Sequence, residues 1–77
     1  MEEIKIDGSW FMYPNIKPEE TGLLAVKVER VLSEGIIYSI HKGEYNPVMN
    51  AFYVNGSWIK RDNNAKKVVA WARLAES

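Results

Sequence analysis

The sequence contains no cysteine and only one histidine, His41. Without cysteine there can be no disulfide bond, zinc–thiolate centre, iron–sulfur cluster or thiol nucleophile. With one histidine there can be no metal site built on two imidazoles, and the spacing of serines and carboxylates around His41 does not indicate a catalytic triad. We therefore expect no metal, no cofactor and no catalytic residues, and we predict that the protein is not an enzyme.

Long apolar runs are also missing. The first ten residues include two adjacent acids and no apolar segment of signal-peptide length. Nowhere do about 18 apolar residues follow one another, which is the length that a membrane-spanning helix requires. We therefore predict a cytoplasmic protein that does not associate with a membrane.

The sequence has no net charge, because ten basic residues balance ten acidic ones. The two halves differ, however. Residues 1–38 hold four basic and seven acidic residues, a net charge of −3, whereas residues 39–77 hold six and three, a net charge of +3. Nucleic-acid binders usually show a basic excess. The overall balance favours an unknown protein partner, and the basic second half leaves nucleic acid as the alternative; the oligomeric state is left open.

A chain of 77 residues is expected to form a single domain with one core. The hydrophobic fraction of 47% is typical of an ordered globular protein. Pro14 and Pro18 interrupt the early part of the chain, so residues 1–22 are predicted to be an irregular lead-in. Residues 23–77 are predicted to form the core of a sheet.

Alternating apolar residues predict β-strands after Gly22. Leu24, Val26 and Val28 recur with period two, Ser33-Glu34-Gly35 is typical of a turn, and the next apolar positions alternate again in an antiparallel second strand. The following residues are predicted to contribute the core: Val26, Val28, Ile36, Tyr38, Ile40, Phe52 and Ile59.

The strongest local signal is Asn55-Gly56, which predicts a tight β-hairpin because both residues accept the positive φ of a type I′ turn. A two-residue loop places Tyr53 opposite Trp58 on one face, with Phe52 opposite Ile59 on the other. Residues 65–75 are ambiguous, since alanine and a spacing of three to four favour a helix while the alternation of apolar residues also fits a strand.

Five features follow one another along the chain: Trp10, Pro18, the strand 24–28, Tyr53-x-x-Gly56-x-Trp58 and Val69-x-Trp71-x-x-Leu74. Their order resembles a family of small phage and prophage proteins of unknown function. In that family W-I-x-V is followed by L-P, a V-L-V strand, a Y-x-x-G-x-W hairpin and a closing T-H-W-x-P-L-P.

The sequence departs from the family pattern in its closing motif, which lacks the prolines of the family, and in the link over residues 30–49, which is longer. The resemblance implies that residues 68–73 form an edge strand with Trp71 in the core, and it implies no catalytic residue. We therefore predict a mainly β fold, a small twisted antiparallel sheet or open barrel of four to five strands with a C-terminal strand. A short C-terminal helix in an α+β fold is the alternative.

One mixture of side chains has the composition of a binding surface. Tyr53 and Trp58 share a face of the predicted hairpin, and Lys60 and Arg61 follow directly. Aromatic rings beside cations can stack bases or anchor a protein partner. The same rings are also common as cross-strand packing in a core. We predict a small non-enzymatic binding module whose candidate surface is Tyr53, Trp58, Lys60 and Arg61, with Trp58 partly exposed.

Overall fold

The computed structural model describes residues 4–19, 22–60 and 65–75. Within them lie six β-strands and no helix. The strands are β1 (Ile6–Met12), β2 (Leu23–Leu32), β3 (Gly35–Asn46), β4 (Ala51–Val54), β5 (Ser57–Lys60) and β6 (Lys66–Leu74). All pairings are antiparallel and form one sheet in the order β1-β6-β2-β3-β4-β5. The predicted mainly β class is confirmed.

Two sequence predictions about the strands are wrong. Over the described residues the sheet has six strands and not four to five, because Ile6–Met12 forms β1 inside the segment predicted to be an irregular lead-in. Period two is hidden there by a register shift between Asp7 and Phe11. β6 is a strand as predicted, but it is not an edge strand, since it pairs with β1 on one side and β2 on the other.

The two predicted hairpin turns are confirmed. Leu32 faces Gly35 across a two-residue turn between β2 and β3. Asn55 and Gly56 have φ of 51° and 79°, the positive values that a type I′ turn requires. The register of the second hairpin also follows the prediction, with Tyr53 opposite Trp58 and Phe52 opposite Ile59.

The core lies on one face of the curled sheet, where β5 also approaches β6. Its members, with Phe11 packed against them, are Tyr13, Leu24, Val26, Val28, Tyr45, Phe52, Val54, Ile59, Val68 and Trp71. Phe52 is completely buried, and the ring centroids of Tyr13 and Tyr45 lie 5.0 and 4.8 Å from its own. Trp71 is in the core, as the resemblance implied.

Three predicted core residues are not in the core. Ile36, Tyr38 and Ile40 are 54, 56 and 45% exposed. The antiparallel register explains this result, because it places Val26 and Val28 opposite His41 and Ser39. Residues directly opposite share a face of the sheet, so the even-numbered residues of β3 project from the outer face.

Candidate interaction surface

The N-terminal two thirds of β3 forms a free edge of the sheet. β3 pairs with β2 from residue 35 to residue 44, but β4 pairs with β3 only over residues 43–46. No strand in the described part of the chain lies beside residues 35–42 on the side away from β2. We call residues 35–42 the open edge.

The open edge directs main-chain hydrogen-bonding groups away from the sheet. Antiparallel pairs alternate between those that exchange hydrogen bonds and those that do not. The Val31 amide points away from β3, because it donates to the Ala65 carbonyl at 3.1 Å on the side of β2 that faces β6. Val31 and its partner Ile36 therefore form a pair that does not exchange hydrogen bonds. By the same alternation the N–H and C=O groups of Ile36, Tyr38 and Ile40 point outward.

The outer face behind the open edge is apolar. Ile36, Tyr38 and Ile40 project from it, and Val31, opposite Ile36, is 50% exposed. Beside them is a shallow cleft of about 300 Å³. It is lined by Trp10, Met12, Lys27, Glu29, Tyr38, Val69 and Ala70. Exposed aliphatic and aromatic residues grouped around a cleft are typical of a surface that another molecule covers.

A few charges stand among these apolar residues. The ammonium of Lys27 lies 5.3 Å from the ring centroid of Tyr38, a cation–π contact on the outer face. Glu29 forms an ion pair with Lys67, with 3.6 Å between Oε1 of Glu29 and Nζ of Lys67. At the two ends of the open edge stand exposed residues of opposite sign, Glu34 in the turn and Lys42 before β4. The two ends of the open edge therefore differ in charge.

The structure brings three of the four predicted binding residues together. Tyr53 and Trp58 lie on the outer face with ring centroids 5.0 Å apart and are 41 and 42% exposed. Lys60, two residues after Trp58, is also exposed. Arg61 lies outside the described residues. The half-exposed position of Trp58 agrees with the sequence analysis, and a binding role for this group stays a prediction.

Both ring nitrogens of the single histidine, His41, lie within hydrogen-bonding distance of neighbouring side chains. Nε2 of His41 lies 2.8 Å from the Ser39 hydroxyl, and its Nδ1 lies 3.2 Å from the side-chain amide nitrogen (Nδ2) of Asn55. Among the residues that the structure describes, no group of three histidine, aspartate or glutamate side chains is placed to hold a metal ion. Over the same ranges no polar or charged residue is buried. No helix within the described chain is long and apolar enough to cross a membrane.

The sequence analysis missed the open edge. One signal for it was available, because the segment from Ile36 to Ile40 is apolar on both faces, with Ile37 among the odd-numbered residues. A core on one side does not require this pattern. The strand lengths in the structure account for the edge, since the four-residue strand β4 cannot cover the whole of the twelve-residue strand β3.

Comparison with known proteins leaves the resemblance to phage and prophage proteins as a prediction. No protein-family model matches the sequence. No curated protein and no solved structure is significantly similar to it.

Proposed function

We propose that the protein is a non-enzymatic binding module that captures an extended protein segment along the open edge. The observation that carries this proposal is the set of outward N–H and C=O groups on Ile36, Tyr38 and Ile40. An extended chain that pairs with such an edge gains main-chain hydrogen bonds, and its alternate side chains gain contacts with the face behind it.

The character of the edge supports a protein segment as the ligand. Exposed edges in sheets are usually short, charged or interrupted by proline, because they invite pairing with other chains. This edge holds three isoleucines and a tyrosine, each about half exposed. The cleft around Trp10 and Met12 lies on the same face and would receive apolar side chains of the segment. A role in a phage or prophage fits such an accessory module and rests only on the sequence resemblance.

A proline substitution at the centre of the edge tests the proposal. Tyr38→Pro removes an N–H that points outward, so it blocks pairing while leaving the hydrogen bonds between β2 and β3 intact. Tyr38→Ala is the matched control, because it removes the same ring and keeps the N–H. The wild-type chain, immobilised at low density, is used to select ten-residue peptides from a display library.

We expect selection of peptides with alternating β-branched and aromatic residues, because these pair well along a strand. Their affinity should fall at least tenfold for Tyr38→Pro and only a few-fold for Tyr38→Ala. Circular dichroism checks that both variants keep the β fold. Equal binding to wild type and Tyr38→Pro, or a selection that yields no peptide, contradicts the proposal.

Nucleic-acid binding is a second candidate because Tyr53 and Trp58 are half exposed beside Lys60. Such a pair could stack bases. Glu44 lies directly opposite Tyr53, and its negative charge opposes a phosphate backbone there. Titration of a fluorescent single-stranded oligonucleotide with wild type and Trp58→Ala tests this function. Binding that weakens steeply with salt and is lost in Trp58→Ala would support it.

A further inference from the structure

We infer that the segment captured by the open edge is the same edge of a second copy of this chain, in a two-fold symmetric dimer. The inference rests on the proposed function and names its partner. A strand can pair with its own copy when the two run antiparallel and equivalent residues face each other around a central residue. The open edge is self-complementary in this sense.

The fold selects the register of this pairing. β4 already pairs with residue 43, so the second copy must end its pairing before that position. β3 begins at Gly35, directly after the turn. A pairing centred on Tyr38 meets both conditions, because it runs from Gly35 to His41 in each copy and Tyr38 then faces Tyr38 of the second copy. The turn carries the second copy's chain away just before it would reach Val54.

The hydrogen-bonding groups agree with this register. Tyr38 faces its equivalent, and Ile36 faces Ile40 of the second copy. These are the residues whose N–H and C=O groups point outward. Each facing pair can therefore exchange two main-chain hydrogen bonds. The Ile36 and Ile40 side chains lie on one face, where the exposed isoleucines cover each other across the strands.

The charges at the two ends of the open edge also favour the register centred on Tyr38. In the register centred on Tyr38, Glu34 of one copy faces Lys42 of the other, and the symmetry repeats this pair at the opposite end. A shift of the centre to Ser39 would bring Gly35 of the second copy opposite Gly43, a position that Val54 of β4 already occupies, and would bring Glu34 towards the like charge of Glu44. Opposite charges across strands stabilise a pairing and like charges destabilise it. The Tyr38-centred register thus has charge complementarity that its neighbour lacks.

Charge reversal gives a sharp test by sedimentation velocity across a series of protein concentrations. We expect the wild type to form dimers. Glu34→Lys and Lys42→Glu should each weaken dimerisation about tenfold or more, since each puts like charges together at both ends. An equimolar mixture of the two variants should recover dimers, because both end pairs are then opposite in charge. The double variant Glu34→Lys/Lys42→Glu should also dimerise.

The remaining outcomes separate this inference from the proposed function. A wild type that stays monomeric at several hundred micromolar overturns the second-copy inference. If that monomer still binds peptides in a way that Tyr38→Pro abolishes, the proposed function stands alone. Dimers that neither single variant weakens, or a mixture of variants that stays monomeric, overturn the Tyr38-centred pairing. Thermal unfolding of each variant confirms that a loss of dimers is not a loss of folding.

Discussion

Trp71 donates a hydrogen bond from its indole nitrogen to the carbonyl oxygen of Ile16, with 2.8 Å between the two atoms. Trp71 belongs to β6 and is buried, whereas Ile16 lies in the segment between β1 and β2. The bond therefore fastens a stretch without regular structure to the centre of the sheet. The Tyr13 amide makes a second attachment to β6 through the Val69 carbonyl at 3.0 Å.

Trp71→Phe should lower the free energy of unfolding by about 1–3 kcal/mol, because the ring stays apolar but the Ile16 carbonyl loses its donor and the core loses volume. Chemical denaturation measures the change. Trp58→Phe is the control, since Trp58 is half exposed, and it should cost less than about 0.5 kcal/mol. Equal costs for the two substitutions would contradict a role for the Trp71 hydrogen bond.

Phe52→Ala should cost about 3 kcal/mol or more, since Phe52 is fully buried between the rings of Tyr13 and Tyr45. A domain of this size has little stability to spare, so the variant should be largely unfolded under ordinary conditions. Tyr38→Ala, which removes an equally large but exposed ring, should cost under about 1 kcal/mol. Urea titration followed by circular dichroism distinguishes the two, and a loss below about 1 kcal/mol for Phe52→Ala would mean that the core is assigned to the wrong face.

Gly43 should not tolerate alanine. A Cβ at this position would stand 2.8 Å from Cγ2 of Val54 and 2.9 Å from the carbonyl oxygen of Tyr53. Such overpacking costs about 1–3 kcal/mol. In a Val54→Ala background the same substitution should cost less, because one of the two clashes is removed. A double-mutant cycle measures the coupling, and strictly additive effects would contradict the predicted clash.

Asn50 should be more sensitive to alanine than to aspartate. Its φ of 51° is left-handed, its Oδ1 accepts the Tyr45 hydroxyl at 3.1 Å, and its main-chain oxygen accepts the Tyr13 hydroxyl at 3.3 Å. Asn50→Ala loses the side-chain acceptor and strains the backbone, so we expect a cost of about 2 kcal/mol. Asn50→Asp keeps both properties and should stay within about 0.5 kcal/mol of wild type. Thermal melts of the two variants give the comparison, and equal losses would show that neither property matters.

Local signals predicted the parts of the fold that depend on neighbouring residues. Asn55-Gly56 determined its hairpin and register, and period two identified β2 and the first half of β3. The face of the sheet from which each β3 residue projects depended instead on the register with β2, and a shift of one residue would exchange the faces of Ile36 and Ile37. The extent of the open edge depends on where β4 stops pairing with β3, which the apolar pattern of residues 36–40 does not specify.

The shared face of Tyr53 and Trp58 was predictable for the same reason as the hairpin that carries them. Tyr53 and Trp58 flank a turn whose geometry is local, so their shared face followed from the sequence. Their half exposure depends on the curvature of the sheet and on what lies across it, which no pattern within residues 51–60 contains. The proposed binding residues Ile36, Tyr38 and Ile40 were assigned to the core because apolar strand residues usually face one.

The pairing of β1 with β6 has a consequence for the order of folding. Ile6 faces Leu74, and the Ala75 amide donates to the Lys5 carbonyl at 3.0 Å, so this ladder closes a loop that contains nearly the whole chain. Closing so large a loop costs more entropy than forming either hairpin, both of which join neighbouring segments. The hairpins should therefore form early, and β1 should dock last onto a β6 strand that is already held by β2. Until it docks, one side of β6 is a transient template on which nascent chains can misassemble, so refolding yield should fall as protein concentration rises.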